Sequence, residues 1–598
     1  MGIVGLPDLS RRSHISAMAQ RLAHRGPDDF GMFLNDSAGV ALAHHRLSII
    51  DLSSNGRQPM STRDGRWTIT FNGEIYNHGE LRRELEQLGC TFSSTSDTEV
   101  LLYGYRAWGE QVLNRLVGMF AFGIWDAHER TLFLARDRVG KKPLVYFRQG
   151  NVLAFASELK ALLAVPGCEP VLNPDAVDAY LALGYVPAPL TVFRGTQKLP
   201  PGHLLVWQDG QLDVRRYWRP ETTVKTLKPQ TSGSQGSAID QFRQLFREAV
   251  RLRLRADVPV GLYLSGGMDS SAIAVECAAL GQNIEALTVA FDEDKTDLPH
   301  AQMVARLFGL RQQIVGASGR QLADDLTNIH WFYDEPFADS SSIPCYYIAR
   351  ETRGRFKVIL TGDGGDEALA GYAHYEFAAA KQWIKRCAAA VGLCDGLWHD
   401  AWATYFQSKA LFRRRFRDEL LCEGPARSGG FAGYLEGEPF LQAGPASDTL
   451  HRALWADRHV YLPNDLLYKM DIALMSHGIE GRSPFLDHRL LEWCQRLPAR
   501  QLVRNRSKKC LLRAAYINEL PGEILHRHKH GFGAPVMQWL RGPLREIVQS
   551  HLPTELFNAE AQTKLMEQFQ RKTNLQLARQ IWTLLAFAIW AKQWKATW

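Results

Sequence analysis

The sequence of 598 residues lacks the features that mark membrane-bound, secreted and metal-stabilised proteins. No run of about 18 apolar residues is present, and the segment MGIVGLPDLSRRSHIS has no apolar signal core, so neither a membrane span nor secretion is expected. The nine cysteines are scattered and form no C-x-x-C pair, which argues against a zinc site and against a disulfide framework. Because free thiols suit a reducing compartment, the sequence predicts a cytoplasmic protein.

Strong charge of either sign is also missing. The net charge is +7, and no basic block or interleaved aromatic pattern accompanies it, so no nucleic-acid partner is expected. The remaining composition, with 45% hydrophobic and 22% charged residues, is ordinary for a globular protein. A chain of this length exceeds what one hydrophobic core holds, and we therefore expect at least two domains.

Residues 1–218 consist mainly of short runs in which apolar and polar residues alternate, as in RWTITFNGEIYN and HLLVWQDGQLDVRRYW. Turn dipeptides such as Asn72-Gly73 punctuate these runs, which is typical of antiparallel strands joined by hairpins. Helical patterns at 78–88 and 97–108 lie between them. This half is predicted to be an α+β domain in which antiparallel sheets are layered with helices.

Residues 219–237 are rich in Thr, Ser, Pro and Gly and predict a linker. The domain expected after it, over 238–598, alternates between helix and strand, with strands predicted at 258–264 and 284–291 and a helix at 270–279. Such alternation predicts a parallel sheet with helices on both faces. The later part of this α/β domain is predicted to be mostly helical.

The segment VPVGLYLSGGMDSSAIA, residues 258–274, combines a buried strand, two glycines and the start of a helix. The glycines let the backbone approach an anion, and the helix N-terminus offers free N–H groups and the positive end of the helix dipole. No Gly-Lys-Ser/Thr follows, so this is not a Walker A loop. The pattern S-G-G-x-D-S instead resembles the pyrophosphate loop of ligases that cleave ATP between its α and β phosphates. An ordinary tight strand-to-helix turn is the alternative.

Two further segments fit the same site. In VILTGDGGDEALAGY a predicted strand ends in small residues and in the carboxylates of Asp363, Asp366 and Glu367. Carboxylates here suit Mg²⁺ held mainly through phosphates, with Asp269 and Asp366 as its candidate ligands, although a solvated acidic loop is the alternative. Lys469 lies in an apolar helical segment, where it is a candidate for stabilising a phosphate or an oxyanion. The alternative for Lys469 is a lysine that snorkels from a core helix.

The sequence resembles the glutamine-hydrolysing asparagine synthetase family over nearly its whole length. The motifs that carry this resemblance occur in the family's order and are RLAHRGPDDFG, HHRLSIIDLS, FNGEIYN, SDTEVLLYGY, RDRVGKKPL, SGGMDSS, DEPFADSSSIP, TGDGGDEALAGY, EGRSPFLDH and KHGFGAPV. The resemblance implies an N-terminal nucleophile (Ntn-type) amidotransferase domain over 1–218 and an ATP-pyrophosphatase domain over 238–598. It also implies ATP and Mg²⁺ as cofactors, aspartate as the default carboxylate substrate, and a homodimer.

The resemblance assigns two sets of site residues. The glutamine pocket would use Arg46, Asn72, Gly73, Glu74 and Asp97. The ATP site would use Leu264, Ser265, Gly266, Gly267, Asp269, Ser270, Val289, Thr361 and Gly362. Asp363 would correspond to the acidic residue of the acyl-adenylate step, with Glu367 and Lys469 at other active-site positions. In the implied reaction a carboxylate attacks the α-phosphorus of ATP, pyrophosphate leaves, and ammonia released from glutamine then displaces AMP.

One departure from the family pattern concerns the residue before Gly2. Family members begin Met-Cys-Gly and use the cysteine as nucleophile, whereas Met1 stands in that slot here. A thioether has no acidic proton and cannot form a thioester, so the glutaminase half is expected to be inactive as written. The chain would then use free ammonia or another amine. A cyclase resembling β-lactam synthetases and a catalytically silent protein that senses glutamine or ATP are the alternatives, although β-lactam synthetases carry a tyrosine where Asp363 stands.

Overall fold

The computed structural model describes residues 1–6, 11–219, 235–291, 296–317, 321–378, 405–406, 409–422, 424–425, 427–437, 449–504, 507–527, 534–572 and 574–598. Of the linker predicted at 219–237, residues 220–234 lie outside this range, as do residues 528–533, which hold most of the KHGFGAPV motif.

Two six-stranded antiparallel sheets form the core of the N-terminal half. Their strand orders are β10-β8-β9-β1-β3-β2 and β12-β11-β7-β6-β5-β4. The strands are β1 (Gly2–Val4), β2 (Asp29–Asn35), β3 (Val40–Arg46), β4 (Met60–Ser61), β5 (Trp67–Ile75), β6 (Gly118–Asp126), β7 (Thr131–Arg136), β8 (Val145–Gln149), β9 (Val152–Ala156), β10 (Thr196–Lys198), β11 (His203–Gln208) and β12 (Gln211–Arg216). The α-helices of this half are Arg11–Gln20, His78–Gln87, Asp97–Trp108, Val112–Arg115, Leu159–Leu162 and Pro174–Leu183.

A five-stranded parallel sheet in the order β15-β14-β13-β16-β17 organises the second half. Its strands are β13 (Val260–Tyr263), β14 (Glu285–Phe291), β15 (Arg311–Ala317), β16 (Val358–Leu360) and β17 (Glu480–Arg482). The helices before Leu467 are Gln235–Arg253, Met268–Ala279, Leu298–Leu307, Leu322–Tyr333, Ser342–Thr352, Gly365–Leu369, Arg414–Leu420, Gly430–Gly437, Thr449–Ala456 and the π-helical Asp457–Leu466. Those that follow are Leu467–Met475, His488–Cys494, Ala499–Leu502, Cys510–Ala515, Gly522–Leu525, Val536–Arg541, Arg545–His551, Ala559–Arg571 and Leu575–Trp594.

The predicted fold class is confirmed in both halves, with antiparallel sheets and helices first and a parallel sheet with helices second. The prediction of a mostly helical later part missed β17, a strand of three residues. Glu480–Arg482 pairs with Val358–Leu360, which lies more than a hundred residues earlier in the chain. A strand this short carries no periodic signal of its own and exists because a partner edge is available.

The halves share a hydrophobic core. The C-terminal helix Leu575–Trp594 is buried along much of its length, and Tyr180 of the first half donates a hydrogen bond to Thr583 O at 2.8 Å. Trp590 donates to Asp334 O at 3.0 Å, which ties the same helix to the parallel-sheet half. Among the residues described, no helix combines the length and apolar character needed to cross a membrane.

Candidate active sites

A cavity of about 100 Å³ lies between the two antiparallel sheets. Strands β3, β5, β6 and β9 contribute to its wall. The residues that line it include all five that the sequence assigned to glutamine, together with the residue in the nucleophile slot: Arg46, Asn72, Gly73, Glu74, Asp97 and Met1. The structure therefore brings this predicted set together around one mostly polar cavity.

Strand β5 supplies three of these residues in succession. Gly73 has φ +149°, and a Cβ there would lie 2.1 Å from Met119 O on the neighbouring strand, so no larger residue fits. The side-chain nitrogen of Asn72 is buried and donates no hydrogen bond within the described residues. Because an unpaired buried donor is costly, this amide is available to a ligand oxygen in the cavity.

The charged side chains of Arg46, Glu74 and Asp97 also line the cavity. The Arg46 guanidinium at the end of β3 donates to Ser53 O at 2.8 Å and also to Asp51 O, which fixes its orientation. Burial and the nearby Asp97 raise the pKa of Glu74 well above its usual range, although the positive charge of Arg482 opposes this shift. Asp97 itself accepts a hydrogen bond from the backbone of Ile75, and burial raises its pKa.

A second candidate site lies where the parallel strands of the α/β half end. Strand β13 ends at Tyr263, the buried Leu264 follows it, and the chain turns at Gly266 before the helix Met268–Ala279 begins. Gly266 has φ +66°, and a Cβ there would lie 2.4 Å from the backbone nitrogen of Ala301. Ser265 Oγ accepts from Gly267 N at 3.3 Å and lies 3.2 Å from Ser270 Oγ. The loop is thus a compact turn directly before the N-terminus of a helix, and its binding of the ATP phosphates stays a prediction.

The loop after β16 packs directly against this turn. A Cβ on Gly362 would lie 3.0 Å from the Asp269 Cβ, and one on Gly365 would lie 2.6 Å from the Asp269 carboxylate. Thr361 Oγ1 donates to Asp363 Oδ2 at 2.7 Å and so orients that carboxylate. Two segments separated by about ninety residues therefore form one site. Val289, also assigned to ATP, lies half-buried near the end of the adjacent strand β14.

Lys469 is buried, with 6% of its surface exposed, in the helix Leu467–Met475. Its Nζ donates to Asp339 Oδ2 at 2.5 Å and to Ser341 Oγ at 2.7 Å. Although burial opposes it, the charges of Asp339 and Asp465 raise the pKa of Lys469, so this lysine stays protonated. Its ammonium lies in a carboxylate pocket and does not snorkel to solvent.

Glu367 is also buried, with 1% exposed, and accepts a hydrogen bond from Tyr372 Oη at 2.5 Å. The same tyrosine stacks on His374 at a ring-centroid distance of 5.4 Å. Tyr375 and Tyr405 continue this aromatic wall, and both donate to Asp457 Oδ at 2.7 Å. Glu367 is therefore held at the edge of a polar aromatic cluster next to the loop that carries Asp363.

The two candidate metal ligands, Asp269 and Asp366, are bridged by Lys509. Its Nζ lies 2.6 Å from both oxygens of Asp269 and 2.7 Å from Asp366 Oδ1. Within the described residues no group of three or more His, Cys, Asp or Glu is arranged to hold a metal ion. This donor set fits an ion that is bound chiefly by nucleotide oxygens, and it does not form a cage for a free cation.

Several residues of the synthetase site were not predicted from the sequence. Lys509 lies in the basic run RNRSKK, a pattern that predicts an exposed, solvated charge. In the structure it is 6% exposed and contacts the carboxylates of two acidic loops. Arg527 donates to Ser265 O at 3.1 Å from a position more than 250 residues later in the chain. Asp339 and Ser341 of the DEPFADSS segment hold Lys469. Asp339 is an exception, because the acidic segment YDEPFADSS fits the nucleotide site on sequence grounds, and the basic run HRHKH that contains Arg527 predicts either a solvated loop or a phosphate contact.

A buried chain of ion pairs joins the two sites. Arg482 on β17 is fully buried, donates to Glu74 Oε2 at 2.8 Å in the first cavity, and donates to Glu480 Oε1 at 2.9 Å. Its backbone carbonyl accepts from Thr361 N at 2.9 Å in the second site. Lys142 Nζ extends the chain and lies 3.3 Å from Glu480 Oε2.

The fold and the paired sites define a class of protein in which an amidotransferase domain is joined to a nucleotide-dependent α/β ligase domain. The Asparagine synthase family model matches residues 241–592, and the Glutamine amidotransferase domain model matches residues 1–218. The chain belongs to the asparagine synthase family. It is an ATP-dependent carbon–nitrogen ligase that forms an amide bond.

Curated relatives match over most of their length. Asparagine synthetase [glutamine-hydrolyzing] 1 of Bacillus subtilis is 31% identical over 96% of this chain and 93% of that protein. A putative asparagine synthetase [glutamine-hydrolyzing] of Mycobacterium tuberculosis is 32% identical over 98% and 95%. Amidase chry2 of Gibberella zeae is 28% identical over 88% and 86%. A solved structure of a B. subtilis glutamine PRPP amidotransferase aligns with a TM-score of 0.28 at 15% identity, over 61% of this chain and 76% of that chain.

Proposed function

We propose that this chain converts aspartate, ATP and ammonia into asparagine, AMP and pyrophosphate at the carboxyl edge of the parallel sheet. The observation that carries the proposal is the convergence of two loops there. The turn from Ser265 to Ser270 and the loop from Thr361 to Glu367 pack on each other through Gly362, Gly365 and Asp269. Lys469 and Lys509 add cationic groups beside them.

Each residue then has a distinct task. The backbone of Ser265, Gly266 and Gly267, with the helix that starts at Met268, would bind the pyrophosphate part of ATP. Asp363, oriented by Thr361, would act on the acyl-adenylate step. Fixed dipoles and charges placed where phosphate charge develops lower the barrier, because they need no reorganisation during the reaction.

Mg²⁺ is the metal that the family resemblance implies. Asp269 and Asp366 would hold it together with oxygens of ATP, where it would neutralise phosphate charge. The Lys509 ammonium lies 2.6 Å from Asp269 Oδ2 and 2.7 Å from Asp366 Oδ1, so it partly neutralises the same two carboxylates and leaves the oxygens of ATP as the main ligands of the ion.

Ammonia is the proposed nitrogen source because Met1 lines the glutamine cavity in the place of a nucleophile. The thioether of Met1 cannot attack the glutamine amide, whereas the binding residues around it are complete. The cavity would therefore bind glutamine and leave it intact.

Two broader inferences accompany this function. Free cysteines in the described part of the chain support a reducing compartment, and the cytoplasm is the proposed location. A homodimer without nucleic acid is proposed from the family resemblance and the modest net charge, and light scattering of the purified chain tests it.

The test is pyrophosphate release with Mg-ATP and aspartate, with ammonium chloride in one arm and glutamine in the other. Turnover is expected with ammonium alone, and a variant with Cys placed directly before Gly2 is expected to gain glutamine use. Asp269→Ala and Lys469→Met are expected to abolish release in the ammonium arm. No release with any carboxylic acid and ammonium would refute the ligase assignment for aspartate and its analogues.

A further inference from the structure

A second cavity, of about 40 Å³, lies where the two halves of the chain meet. Both halves contribute to its wall, which includes Arg138, Pro200, Trp218, Arg458, Leu462 and Leu491. None of the residues assigned to glutamine or to ATP lines it, and the described residues give it no wall in common with the glutamine cavity. This space, which we call the interface cavity, is therefore distinct from both candidate sites.

The wall of the interface cavity is mostly apolar. Pro200, Leu462 and Leu491 contribute hydrocarbon surface to it, and the ring of Trp218 is held in place because its Nε1 donates to Glu492 Oε1 at 2.8 Å. The described residues that line the cavity include no aspartate and no glutamate. A ligand that fills this space would therefore be largely apolar and would meet no negative charge on the wall.

Arg138 brings a buried cation to this wall, with 7% of its surface exposed. Its terminal nitrogens donate to Leu116 O and to Leu113 O, each at 2.8 Å. Among the described residues no carboxylate oxygen lies within 4 Å of its guanidinium. Backbone carbonyls satisfy N–H groups but carry no net charge, so the buried positive charge of Arg138 has no compensating anion there.

Arg458 brings a second, half-buried guanidinium to the wall and connects it to the ligase site. Its Nε donates to Glu367 O at 2.8 Å, and its Nη2 donates to Ala368 O at 3.1 Å. Its Nη1 makes no hydrogen bond within the described part of the chain, and no carboxylate oxygen there lies within 4 Å of it. A change at this guanidinium would therefore reach the helix Gly365–Leu369, which carries Glu367.

The remaining polar groups of the wall add positive charge and no negative charge. Arg216 donates from its Nε to Trp218 O at 2.9 Å, and its Nη2 lies 3.5 Å from His459 Nε2. Burial lowers the pKa of His203 to about 4 and that of His459 to about 3, so both rings are neutral near pH 7. The arginines alone therefore set the charge of the interface cavity.

We propose that the interface cavity binds a short-chain organic carboxylate and that this binding acts on the ligase site through Arg458. The carboxylate would pair with Arg138 and Arg458, since hydrogen bonds between a guanidinium and a carboxylate are among the strong ones in proteins. The hydrocarbon chain would lie against Pro200, Leu462 and Leu491. Binding sites for small molecules commonly combine an apolar wall with a few charged groups in this way.

Size and charge narrow the ligand further. The interface cavity has less than half of the 100 Å³ of the glutamine cavity, so its ligand is smaller than an amino acid of that size. Inorganic phosphate would supply the negative charge but would leave the apolar wall unfilled. A neutral alcohol would fill the wall but would leave the buried arginines without an anion.

Binding is expected to slow the ligase. A carboxylate that draws the Arg458 guanidinium towards it weakens the bonds of this group to Glu367 O and Ala368 O. The helix that carries Glu367 would then lose part of its support. The binding itself goes beyond the proposed function, whereas its effect on ATP–pyrophosphate exchange rests on that function.

The experiment titrates the full chain by calorimetry with butyrate, with 1-butanol and with inorganic phosphate. Excess aspartate and glutamine are present, so that the carboxylate sites of the proposed function are occupied. Butyrate is expected to bind at one site per chain. Both comparison compounds are expected to bind at least about tenfold more weakly, because each lacks either the charge-assisted hydrogen bonds or the apolar contact.

Two variants locate the site. Gln495→Trp places a larger side chain in the wall of the interface cavity, at the end of the helix His488–Cys494, and should abolish butyrate binding. It should keep exchange within about twofold of the parent. Gln568→Trp, on the exposed face of the helix Ala559–Arg571, is the matched control and should bind butyrate as the parent does. Arg458→Met should weaken butyrate binding at least about tenfold.

Butyrate should lower exchange by the parent about fivefold at saturation, the lower end of usual coupling between two sites, and should not affect Gln495→Trp. Absence of butyrate binding, equal binding of 1-butanol, or binding that survives in Gln495→Trp would each overturn the site. Butyrate that binds without lowering exchange would overturn the role of Arg458. A parent without exchange refutes the proposed function, and the titrations still decide whether the interface cavity binds a carboxylate.

Discussion

Replacing Arg482 with alanine should destabilise the chain more than any comparable change at its surface. Arg482 is fully buried and pairs with Glu74 at 2.8 Å and with Glu480 at 2.9 Å. Its other guanidinium nitrogen donates to the backbone oxygens of Arg253 at 3.2 Å and Arg255 at 2.6 Å. Truncation leaves two buried carboxylates without this partner and two carbonyls without a donor.

The magnitude follows from the desolvation of the groups left behind. Removing one partner of a buried ion pair costs about 3–5 kcal/mol, because the remaining charge is neither hydrated nor compensated. Lys142 still lies 3.3 Å from Glu480 and limits the loss on that side, whereas Glu74 has no second cation within 4 Å among the described residues. We therefore expect a loss of about 3–5 kcal/mol in the unfolding free energy, dominated by Glu74.

Urea unfolding followed by tryptophan fluorescence measures this loss in the first cooperative transition. Arg251→Ala is the control, because Arg251 makes a close pair with Glu248 at 2.7 Å but is 44% exposed, and such pairs contribute about 0–1 kcal/mol. Adding Glu74→Gln to Arg482→Ala should recover part of the loss. A loss for Arg482→Ala no larger than that of Arg251→Ala would refute the argument.

The same loss should depend on pH in a definite direction. The pKa of Glu480 lies below its usual range, because the charges of Lys142 and Arg482 outweigh the effect of burial. The contribution of Glu480 to the unfolding free energy is therefore present above the unfolded pKa of about 4.3 and is lost on acidification. Burial raises the pKa of Glu74, so acid neutralises that charge first in either protein. The difference between Arg482→Ala and the parent should be largest at high pH and should shrink on acidification, first as Glu74 takes up a proton through its raised pKa and then as Glu480 does.

Two further substitutions test the nucleotide site. Gly266→Ala should lower the rate of ATP–pyrophosphate exchange at least tenfold and lower the unfolding free energy by about 1–3 kcal/mol. The reason is that a Cβ at this residue, whose φ is +66°, would lie 2.4 Å from the backbone nitrogen of Ala301. Gly281→Ala is its control, with φ +68° and open space around the Cβ, and an unchanged exchange rate in both variants would contradict the role of the loop. Lys509→Ala should abolish exchange, because it leaves two acidic side chains facing ATP without a cation between them. Lys508→Ala is its control and should keep exchange, because Lys508 forms a half-buried pair with Glu376 at the surface. Equal exchange rates in these two variants would show that Lys509 has no part in nucleotide binding.

The nucleotide turn was predictable from the sequence because its chemistry is local. The structure has a strand that ends at Tyr263, glycines at 266 and 267, and a helix that begins at Met268. These features follow one another closely in the chain, and their spacing alone predicts an anion-binding turn. The glutamine cavity was predictable only by resemblance. Arg46, Asn72 and Asp97 lie on separate elements, and composition or periodicity gives no reason for them to meet.

The residues that were not predicted are those whose role comes from distant contacts. Lys509 reads as surface charge until the chain folds and two acidic loops surround it. Arg482 belongs to a strand of three residues that is too short for a period-two signal, and its partner Glu74 is about four hundred residues away. Pairwise contacts at such separations leave no trace in a single sequence, because neither residue is unusual in its own neighbourhood.

The position of Arg482 suggests why the amidotransferase cavity keeps its form even with Met1 in the nucleophile slot. Glu74 lines that cavity, and the same carboxylate neutralises an arginine whose backbone holds Thr361 in the ligase site. Losing Glu74 from the cavity would leave the buried Arg482 guanidinium with Glu480 as its one remaining carboxylate partner among the described residues. A ligase fed by free ammonia would therefore still select for Glu74, since the free energy of burying Arg482 depends on it. The residues proposed for the glutamine pocket therefore differ in their structural role. Asn72, whose side-chain nitrogen has no hydrogen-bond partner among the described residues, should tolerate substitution far better than Glu74 in a stability measurement.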